Sequence, residues 1–238
     1  MPTSAIADTD RLVSFLKGNT FFGGLPDAQL RSLVRKGIVW KFARGDVIFR
    51  RGAPGDSLMA ILAGRIKICL VNAEAREVVL TFLGVGDING EMAVLGGKAR
   101  TADAIALEDS EVLVIQGREL IPVLTAHPEV MLEIIQLLCE KLRAASSVIE
   151  DSTLAMQGRV ARGLLRLAQQ HGRKGKDGIR IDLAISQSDL GRYLGLSRPN
   201  VSRQLGRLKE ANVIRFVGAQ LVITDERGLT EIAESEPA

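Results

Sequence analysis

Residues 186–208 read SQSDLGRYLGLSRPNVSRQLGRL, and this stretch predicts two short helices joined by a tight turn. Ser186 and Asp189 form the S-x-x-D pattern that begins a helix, and Gly195 supplies the turn. Apolar side chains are spaced so that the two helices bury against each other at a large angle. Together these features predict a helix-turn-helix. The apolar positions are Leu190, Leu194, Leu196, Val201, Leu205 and Leu208.

The second helix carries the polar side chains that suggest DNA binding. Ser197 is expected to cap it, and Pro199 falls in its first turn, where a missing N–H costs nothing. Arg198 and Arg203 lie near its start, the end that enters the major groove, where a guanidinium can bind guanine O6 and N7 together. A helical hairpin whose arginines only face water is the alternative. Short donors suited to phosphate contacts surround this end: Ser186, Gln187, Ser188, Ser197 and Asn200.

The segments around this motif support the same interpretation. After it, the sequence NVIRFVGAQLVITD predicts a two-stranded wing that turns at about Gly218. Before it, GRVARGLLRLAQQHG predicts a helix that ends at Gly172, and RKGKDG predicts a basic loop. Residues 158–220 contain thirteen Lys or Arg against four Asp or Glu, a charge of +9, whereas the rest of the chain carries −6. A basic segment on an acidic body is typical of a nucleic-acid-binding domain, although a solvated basic face gives the same pattern.

A long helix is predicted from about Glu129 to Thr153, because no Pro or Gly interrupts this segment. Its apolar residues recur alternately every four and three positions, and this heptad spacing keeps one stripe facing a partner helix. Ile134 and Leu137 can form a second apolar face that packs on the chain's own domain. The stripe is therefore predicted to join two copies in a homodimer, with packing inside one domain as the alternative. Its positions are Met131, Ile135, Leu138, Leu142, Ala145, Ile149, Ser152 and Met156.

The first half of the chain alternates short apolar runs with glycine-centred turns, from about Phe21 to Ile115. Such spacing predicts an antiparallel roll or barrel, preceded by a helix in GLPDAQLRSLVRKG. Within the roll, residues 90–102 read GEMAVLGGKARTA, with Glu91 and Arg100 nine positions apart. This loop is either a surface turn with an ion pair or a pocket that holds a small anion.

The composition excludes several classes of protein. No apolar run approaches the ~18 residues of a membrane span, and the N-terminus lacks the plan of a secretion signal, so a cytoplasmic protein is expected. Cys69 and Cys139 have no nearby cysteine partner, so they predict buried apolar positions rather than a disulfide or metal site. His127 and His171, the two histidines, are expected at the surface or at helix ends. No metal site or catalytic cofactor is predicted.

A strand-rich roll, a long helix and a winged helix-turn-helix, in this order, resemble the CRP/FNR (catabolite activator) family of bacterial transcription regulators. The likeness extends from about Phe21 to Asp225 and includes FFGGLPDAQLRSLV, FARGDVIFRRGAPGDSLMAILAGRIKI and SRPNVSRQLGRL. It implies an α+β fold in three parts, namely an effector-binding, jelly-roll-like β-roll over 1–128, a dimerisation helix and hinge over 129–157, and the winged helix-turn-helix over 158–238. It also implies double-stranded DNA, a cyclic nucleotide, a second copy of the chain and RNA polymerase as partners.

In the nucleotide-responsive members, the segment that resembles residues 90–102 binds the sugar and phosphate. The resemblance implies that Glu91 accepts from the ribose 2′-OH, and that Arg100 and Thr101, with backbone amides near Gly90 and Met92, hold the cyclic phosphate. This assignment agrees with the chemistry, since a guanidinium neutralises a phosphodiester and an ionised carboxylate only accepts hydrogen bonds. Further positions resemble pocket walls and are equally consistent with roll interior: Ile68, Thr81 and Leu83.

Two positions depart from the family pattern. The family's cAMP binders use a Thr–Ser pair on the long helix to reach the adenine, and the matching pair here is Ala145 and Ser146. The lost hydroxyl argues against strict cAMP selectivity, which leaves cAMP, cGMP, both nucleotides or a larger relative as the effector. Pro199 stands where well-studied members have a base-reading glutamate, so discrimination at that base pair should be weaker or depend on DNA shape.

The expected function is therefore a DNA-binding transcription regulator that responds to cAMP or cGMP and recognises a near-palindromic operator. One alternative is a regulator of the same family that works without ligand and has a vestigial pocket. The other is an enzyme that acts on a nucleotide. An enzyme would need a general base or metal cluster near the pocket, and the sequence offers neither there.

Overall fold

The computed structural model describes residues 2–3, 9–71, 76–151, 153–183, 185–218 and 220–234. The backbone forms two compact units, one of Met1–Arg76 with Leu80–Leu142 and one of Glu77–Val79 with Arg143–Ala238. Of the stripe predicted on the long helix, Ser152 lies outside the described residues.

The first unit contains an antiparallel roll and the helices that flank it. Its elements are β1 (Pro2–Thr3), α1 (Thr9–Lys17), α2 (Asp27–Lys36), β2 (Ile38–Phe42), β3 (Val47–Phe49), β4 (Ser57–Ala63), β5 (Ile66–Val71), most of β6 (Glu77–Leu83), β7 (Ile88–Asn89), α3 (Glu91–Gly96), β8 (Asp103–Ala106), β9 (Ser110–Gln116), α4 (Gly117–Ala126) and the first part of α5 (Pro128–Asp151).

The strands form two antiparallel sheets, with the orders β1-β2-β9-β4-β7 and β3-β8-β5-β6. Apolar side chains that include Ile61, Ile66 and Val112 fill the interior of the roll. A second cluster joins the roll to the helices and includes Phe21 and Phe22, neither of which is exposed. The predicted β-roll is confirmed, and the predicted helix before it is α2.

α5 has two apolar faces, as its sequence predicts. Val130 and Ile134 are buried in the core of the first unit, and Leu137 and Leu138 pack partly against it. Most of the remaining stripe residues are exposed, and they include Leu142 at 69% and Ile149 at 72%. The helix therefore has a second apolar face that the core of the first unit does not cover.

The second unit continues from α5 through α6 (Met156–His171), β10 (Gly172–Gly175), β11 (Gly178–Ile181), α7 (Gln187–Leu194), α8 (Arg198–Glu210), β12 (Ile214–Val217), β13 (Gln220–Ile223) and α9 (Glu226–Glu234). Its four strands form an antiparallel sheet in the order β10-β11-β13-β12. α7 and α8 are the predicted helix-turn-helix, and β12 with β13 are the predicted wing, which turns at a left-handed Gly218.

Three local predictions need correction. The basic stretch RKGKDG is not a plain loop, because β10 and β11 pair on either side of a short turn. Cys139 is exposed rather than buried, since it lies on α5 away from the core, whereas Cys69 is buried as expected. The loop after Gly90 contains the short helix α3. His127 and His171 do lie at helix ends, at the C-terminus of α4 and in the last turn of α6.

Among the described residues, no single helix is both long and apolar enough to cross a membrane, although the strongly bent pair of α4 and α5 passes on length and composition alone. Nor do the described residues contain a group of three or more His, Cys, Asp or Glu placed to hold a metal ion.

Candidate functional site

The predicted loop forms one side of a small cavity of about 40 Å³ in the first unit. β3 and β5 contribute Phe49 and Ile68, and the remaining residues come from the end of β7, from α3 and from the loop before β8. The predicted ligand residues Gly90, Glu91, Met92, Arg100 and Thr101 all line this cavity, together with Ile68. Of the other two predicted wall positions, Leu83 is buried in the roll and Thr81 is half-buried, and its hydroxyl donates to the Phe82 carbonyl oxygen at 3.3 Å.

Arg100 is held in the cavity from two sides. Its Nη2 donates to the Ser57 carbonyl oxygen at 2.7 Å and to the Ser57 hydroxyl at 2.9 Å, and its guanidinium carbon lies 4.4 Å from the centre of the Phe49 ring. Arg100 is only 4% exposed, yet its Nε and Nη1 have no hydrogen-bond partner among the described residues. Burial lowers the pKa of this guanidinium, and the negative charges of Asp56 and Glu91 partly offset that effect. The Arg100 guanidinium is therefore a cation held in one position, with hydrogen-bond donors at Nε and Nη1 that are unused among the described residues.

Glu91 is the matching acceptor in the same cavity. It is 2% exposed, and its Oε1 accepts a hydrogen bond from Lys141 Nζ at 2.6 Å. Its Oε2 is buried and has no hydrogen-bond partner among the described residues. A buried carboxylate oxygen without a partner is costly, so Oε2 is an acceptor that a donor group in the cavity would satisfy.

The backbone at Gly90 makes room for this arrangement. Gly90 has φ of 97°, and a Cβ atom there would collide with the Arg100 guanidinium and lie 2.7 Å from the Ser57 carbonyl oxygen. Glycine is therefore required both by conformation and by space. The Gly90 amide donates to the Asn89 side-chain oxygen at 2.9 Å. In this structure that amide is thus already engaged, contrary to the expectation that it would be open to an anion.

Sequence reasoning missed four residues of this site: Phe49, Ser57, Asn89 and Lys141. Each is distant from the loop in sequence or is an ordinary residue type for its element, so no local pattern marks it. Lys141 lies fifty positions after Glu91 and falls between two positions of the predicted dimer stripe. Only the packing of α5 against the roll brings the two together.

Ala145 and Ser146, the predicted base-contacting pair, are both exposed on α5. They belong to the second unit by its backbone contacts, and the residues that line the cavity belong to the first. Ser146 offers a hydroxyl at the surface, whereas Ala145 offers none.

The helix-turn-helix has the local signals that its sequence predicts, with one exception. The Ser186 side chain accepts from the Asp189 amide at 3.0 Å, and Gly195 ends α7 in the left-handed conformation. Ser197 occupies the cap position of α8, but its side chain makes no capping hydrogen bond. α8 therefore begins without a side-chain cap, and Pro199 in its first turn favours the start of the helix.

α8 buries one face and exposes the other. Val201, Leu205 and Leu208 are at most 3% exposed, while Arg198 and Arg203 lie on the exposed side. Neither arginine forms a hydrogen bond or ion pair with another described residue. Of the predicted phosphate contacts, Ser186, Gln187 and Ser197 are exposed, and Ser188 and Asn200 are half-buried. The start of α8 therefore presents a polar, positively charged surface.

Comparisons with known proteins identify both units. Residues 39–127 match the family model of the cyclic nucleotide-binding domain, and residues 158–232 match the Crp-like helix-turn-helix domain. The chain is 27% identical to the CRP-like cAMP-activated global transcriptional regulator of Mycobacterium tuberculosis over 213 residues, which cover 89% of this chain and 95% of that protein.

Solved structures are similar as well. A transcriptional regulator of the CRP/FNR family from Thermus thermophilus superposes with a TM-score of 0.64 and 26% identity, covering 84% of this chain and 100% of that chain. FixK2 from Bradyrhizobium japonicum superposes with a TM-score of 0.75 and covers 84% of this chain and 99% of its own. Its 20% identity shows a shared fold alone.

Proposed function

Because the chain belongs to the CRP/FNR family of transcription regulators, which are not enzymes, we propose that it is a homodimer whose binding to DNA is controlled by cAMP or cGMP. It acts in the cytoplasm, where bacterial DNA is, and RNA polymerase is a further partner. The family supplies the DNA-binding part of this function. The choice of effector, the dimer and the operator are inferred from the residues described above.

The observation that best supports a cyclic-nucleotide effector is the set of unused hydrogen-bond donors on Arg100. Nε and Nη1 of this buried guanidinium have no hydrogen-bond partner among the described residues, and Glu91, which lines the same cavity, has one buried oxygen without a partner among them. A cyclic nucleotide supplies complementary groups, because its phosphodiester carries one negative charge and its ribose 2′-OH is a donor. Thr101, which lines the same cavity, adds a hydroxyl for the phosphate. Arg100 would hold the phosphate and Glu91 the sugar.

The base of the nucleotide would lie outside this cavity, whose volume of about 40 Å³ accommodates only a small group. Its recognition is assigned to Ala145 and Ser146 through the family resemblance. With one hydroxyl instead of two, this pair favours weak discrimination, and cAMP and cGMP are therefore both candidates.

The dimer is inferred from the exposed side of α5. Exposed apolar side chains at heptad spacing are expensive in water and favour a partner helix with the same stripe. The exposed apolar positions of the stripe are Met131, Ile135, Leu142 and Ile149. A two-fold dimer places two helix-turn-helix motifs on DNA, which predicts two half-sites about one DNA turn apart.

DNA recognition is assigned to the start of α8. Arg198 and Arg203 are exposed and have no partner among the described residues, so they are available for base edges in the major groove. Pro199 between them has no side chain that can read a base. Specificity at the base pair it faces would come from DNA shape and deformability.

Calorimetric titration with cAMP and cGMP tests the effector. We expect binding heat for at least one nucleotide with the wild-type chain and a loss of affinity of about 100-fold with Arg100→Ala, since the phosphate loses a buried charged partner. Absence of heat with both nucleotides would instead favour a ligand-independent regulator with a vestigial pocket.

Gel shifts with a near-palindromic DNA, with and without each nucleotide, test the operator. Arg198→Ala and Arg203→Ala are expected to weaken specific binding by about 1–3 kcal/mol each and to relax base preference. Unchanged affinity and preference would show that α8 is not the recognition helix. Sedimentation of Leu142→Asp tests the dimer, because a charge in the stripe should yield monomers, whereas Arg227→Gln at an exposed ion pair should not.

A further inference from the structure

In the second unit, arginines of α6 clamp the last turn of α5. Asp151 is the final residue of α5, and its side chain is 4% exposed. Its Oδ2 accepts from Arg166 Nη1 at 2.6 Å, and its Oδ1 lies 3.5 Å from Arg162 Nη1. Its carbonyl oxygen also accepts from Arg159 Nε at 3.3 Å. These three arginines are three and four positions apart, so a single face of α6 holds the end of α5.

Arg166 extends the contact into the helix-turn-helix. Its Nε donates to the Tyr193 hydroxyl at 2.7 Å, and Tyr193, which is 6% exposed, lies on α7. Nη1 of Arg166 also donates to the Ser147 hydroxyl at 3.3 Å on α5. One guanidinium thus connects the last turns of α5 with the first helix of the motif.

α6 and α7 also pack closely against each other. Gly163 is buried on α6, and a Cβ atom at this position would collide with the Leu194 side chain on α7. A movement of α5 must therefore carry α6 and α7 with it or break the contacts of Arg166. Breaking them would leave the buried Asp151 carboxylate with only the longer contact to Arg162 and would separate the Arg166 guanidinium from its partners, which is unfavourable.

We propose that Asp151, Arg166 and Tyr193 form a relay that fixes the helix-turn-helix to the end of α5 and transmits displacements of α5 to the recognition helix. They are positioning residues, since none of them needs to touch DNA or nucleotide. The role of the nucleotide in causing the displacement rests on the proposed function. The contacts that connect α5 to the helix-turn-helix do not depend on the proposed function.

Tyr193→Phe is the sharpest test, because it removes one hydroxyl and keeps the ring. DNA affinity is measured by fluorescence anisotropy with and without cAMP or cGMP, and the ratio of the two affinities gives the coupling. We expect the ratio to fall about fivefold or more in Tyr193→Phe and Asp151→Asn. Nucleotide affinity, measured separately by calorimetry, identifies any loss that arises in the effector pocket. Arg227→Gln, which breaks an exposed ion pair on α9, should leave the ratio unchanged.

Amide hydrogen exchange gives a readout that does not depend on the nucleotide. Asp151→Asn substitutes a side chain on α5, and the relay predicts that amide exchange nevertheless becomes faster in α7 and α8. If the wild-type affinity for DNA does not respond to nucleotide, the proposed effector control fails, and exchange alone decides the relay. Unchanged exchange in α7 and α8, or an unchanged coupling ratio in a nucleotide-responsive wild type, would overturn it.

Discussion

Arg100 in the roll and Arg166 in the DNA-binding unit are both largely buried, but their donors are used in opposite ways. Arg166 binds Ser147, Asp151 and Tyr193, so its Nε and Nη1 both have partners inside the chain. The Arg100 side chain hydrogen-bonds Ser57 through Nη2, and its Nε and Nη1 have no hydrogen-bond partner among the described residues. A buried arginine whose donors bind groups inside the chain stabilises the fold, whereas one with unused donors is preorganised to bind a ligand.

The pKa values follow the same division. Burial lowers the pKa of Arg100, and Asp56 and Glu91 offset this only in part. Burial also acts to lower the pKa of Arg166, but its contacts with Tyr193 and Asp151 outweigh that effect and raise it. Contacts within the chain therefore outweigh the effect of burial on the pKa of Arg166, whereas they offset it only in part for Arg100. The difference can be tested through the free energy of unfolding.

Arg166→Met is expected to have the largest effect on stability. It leaves the Asp151 carboxylate buried with Arg162 as the nearest remaining cation, and breaking a buried pair in this way costs about 3 kcal/mol. Urea unfolding followed by circular dichroism measures the loss. A change below about 1 kcal/mol would mean that Arg166 is not structural, and the contrast with Arg100 would disappear.

Tyr193→Phe should cost about 1.5 kcal/mol at neutral pH, because Arg166 loses a charged hydrogen bond. Burial, the largest cause, raises the pKa of Tyr193, while Arg166 lowers it in part. A raised pKa means that the stabilising contribution is complete below about pH 10 and is lost as the pH rises further.

The wild-type free energy of unfolding should therefore decline more steeply above about pH 10 than that of Tyr193→Phe. Because Tyr193 is the single tyrosine of the chain, absorbance of the tyrosinate reports its pKa directly. In Arg166→Met this titration should move to higher pH, and a move to lower pH would contradict the assigned role of Arg166.

Arg100→Met should change stability by less than about 1 kcal/mol, because a methionine of similar length removes a desolvated charge along with two unused donors. Fluorescence of Trp40, the single tryptophan, follows unfolding of the first unit. The same variant should lose nucleotide binding. A stability loss as large as that of Arg166→Met would show that Arg100 is a structural residue.

Arg198→Ala should change stability least, within about 0.5 kcal/mol, since the exposed side chain that is removed makes no hydrogen bond or ion pair with the described residues. Its effect should be confined to DNA affinity, measured by gel shift at fixed salt concentration. A lower thermal midpoint in this variant would indicate that Arg198 packs on the protein rather than remaining free for DNA.

The sequence predicts those parts of the structure that local rules control. Ser186 with Asp189 begins a helix, Gly195 ends it, and the heptad stripe marks a mostly exposed apolar face of α5, because each depends on neighbours within a few positions. Ser197 shows the limit of such rules, since a correct cap position does not guarantee the capping bond.

Local spacing does not predict contacts between residues that are far apart in the sequence. Arg166 counts in the sequence as one more basic residue of a positively charged segment, although the fold turns it inward onto Asp151 and Tyr193. Lys141 likewise reads as a solvent-facing residue of a dimer helix, although it pairs with Glu91. In both cases the partner is set by how helices pack, which no local spacing specifies.

Gly90 would give the proposed effector site an unusual vulnerability during evolution. Because a single methyl group there would occupy the space of the Arg100 guanidinium, one substitution at an uncharged position could abolish sensing while every charged residue of the site remains in place. A lineage could thus lose its response to the effector, and a survey of polar site residues alone would not reveal the loss. We expect a related chain with a residue other than glycine at this position to have lost the proposed ligand site.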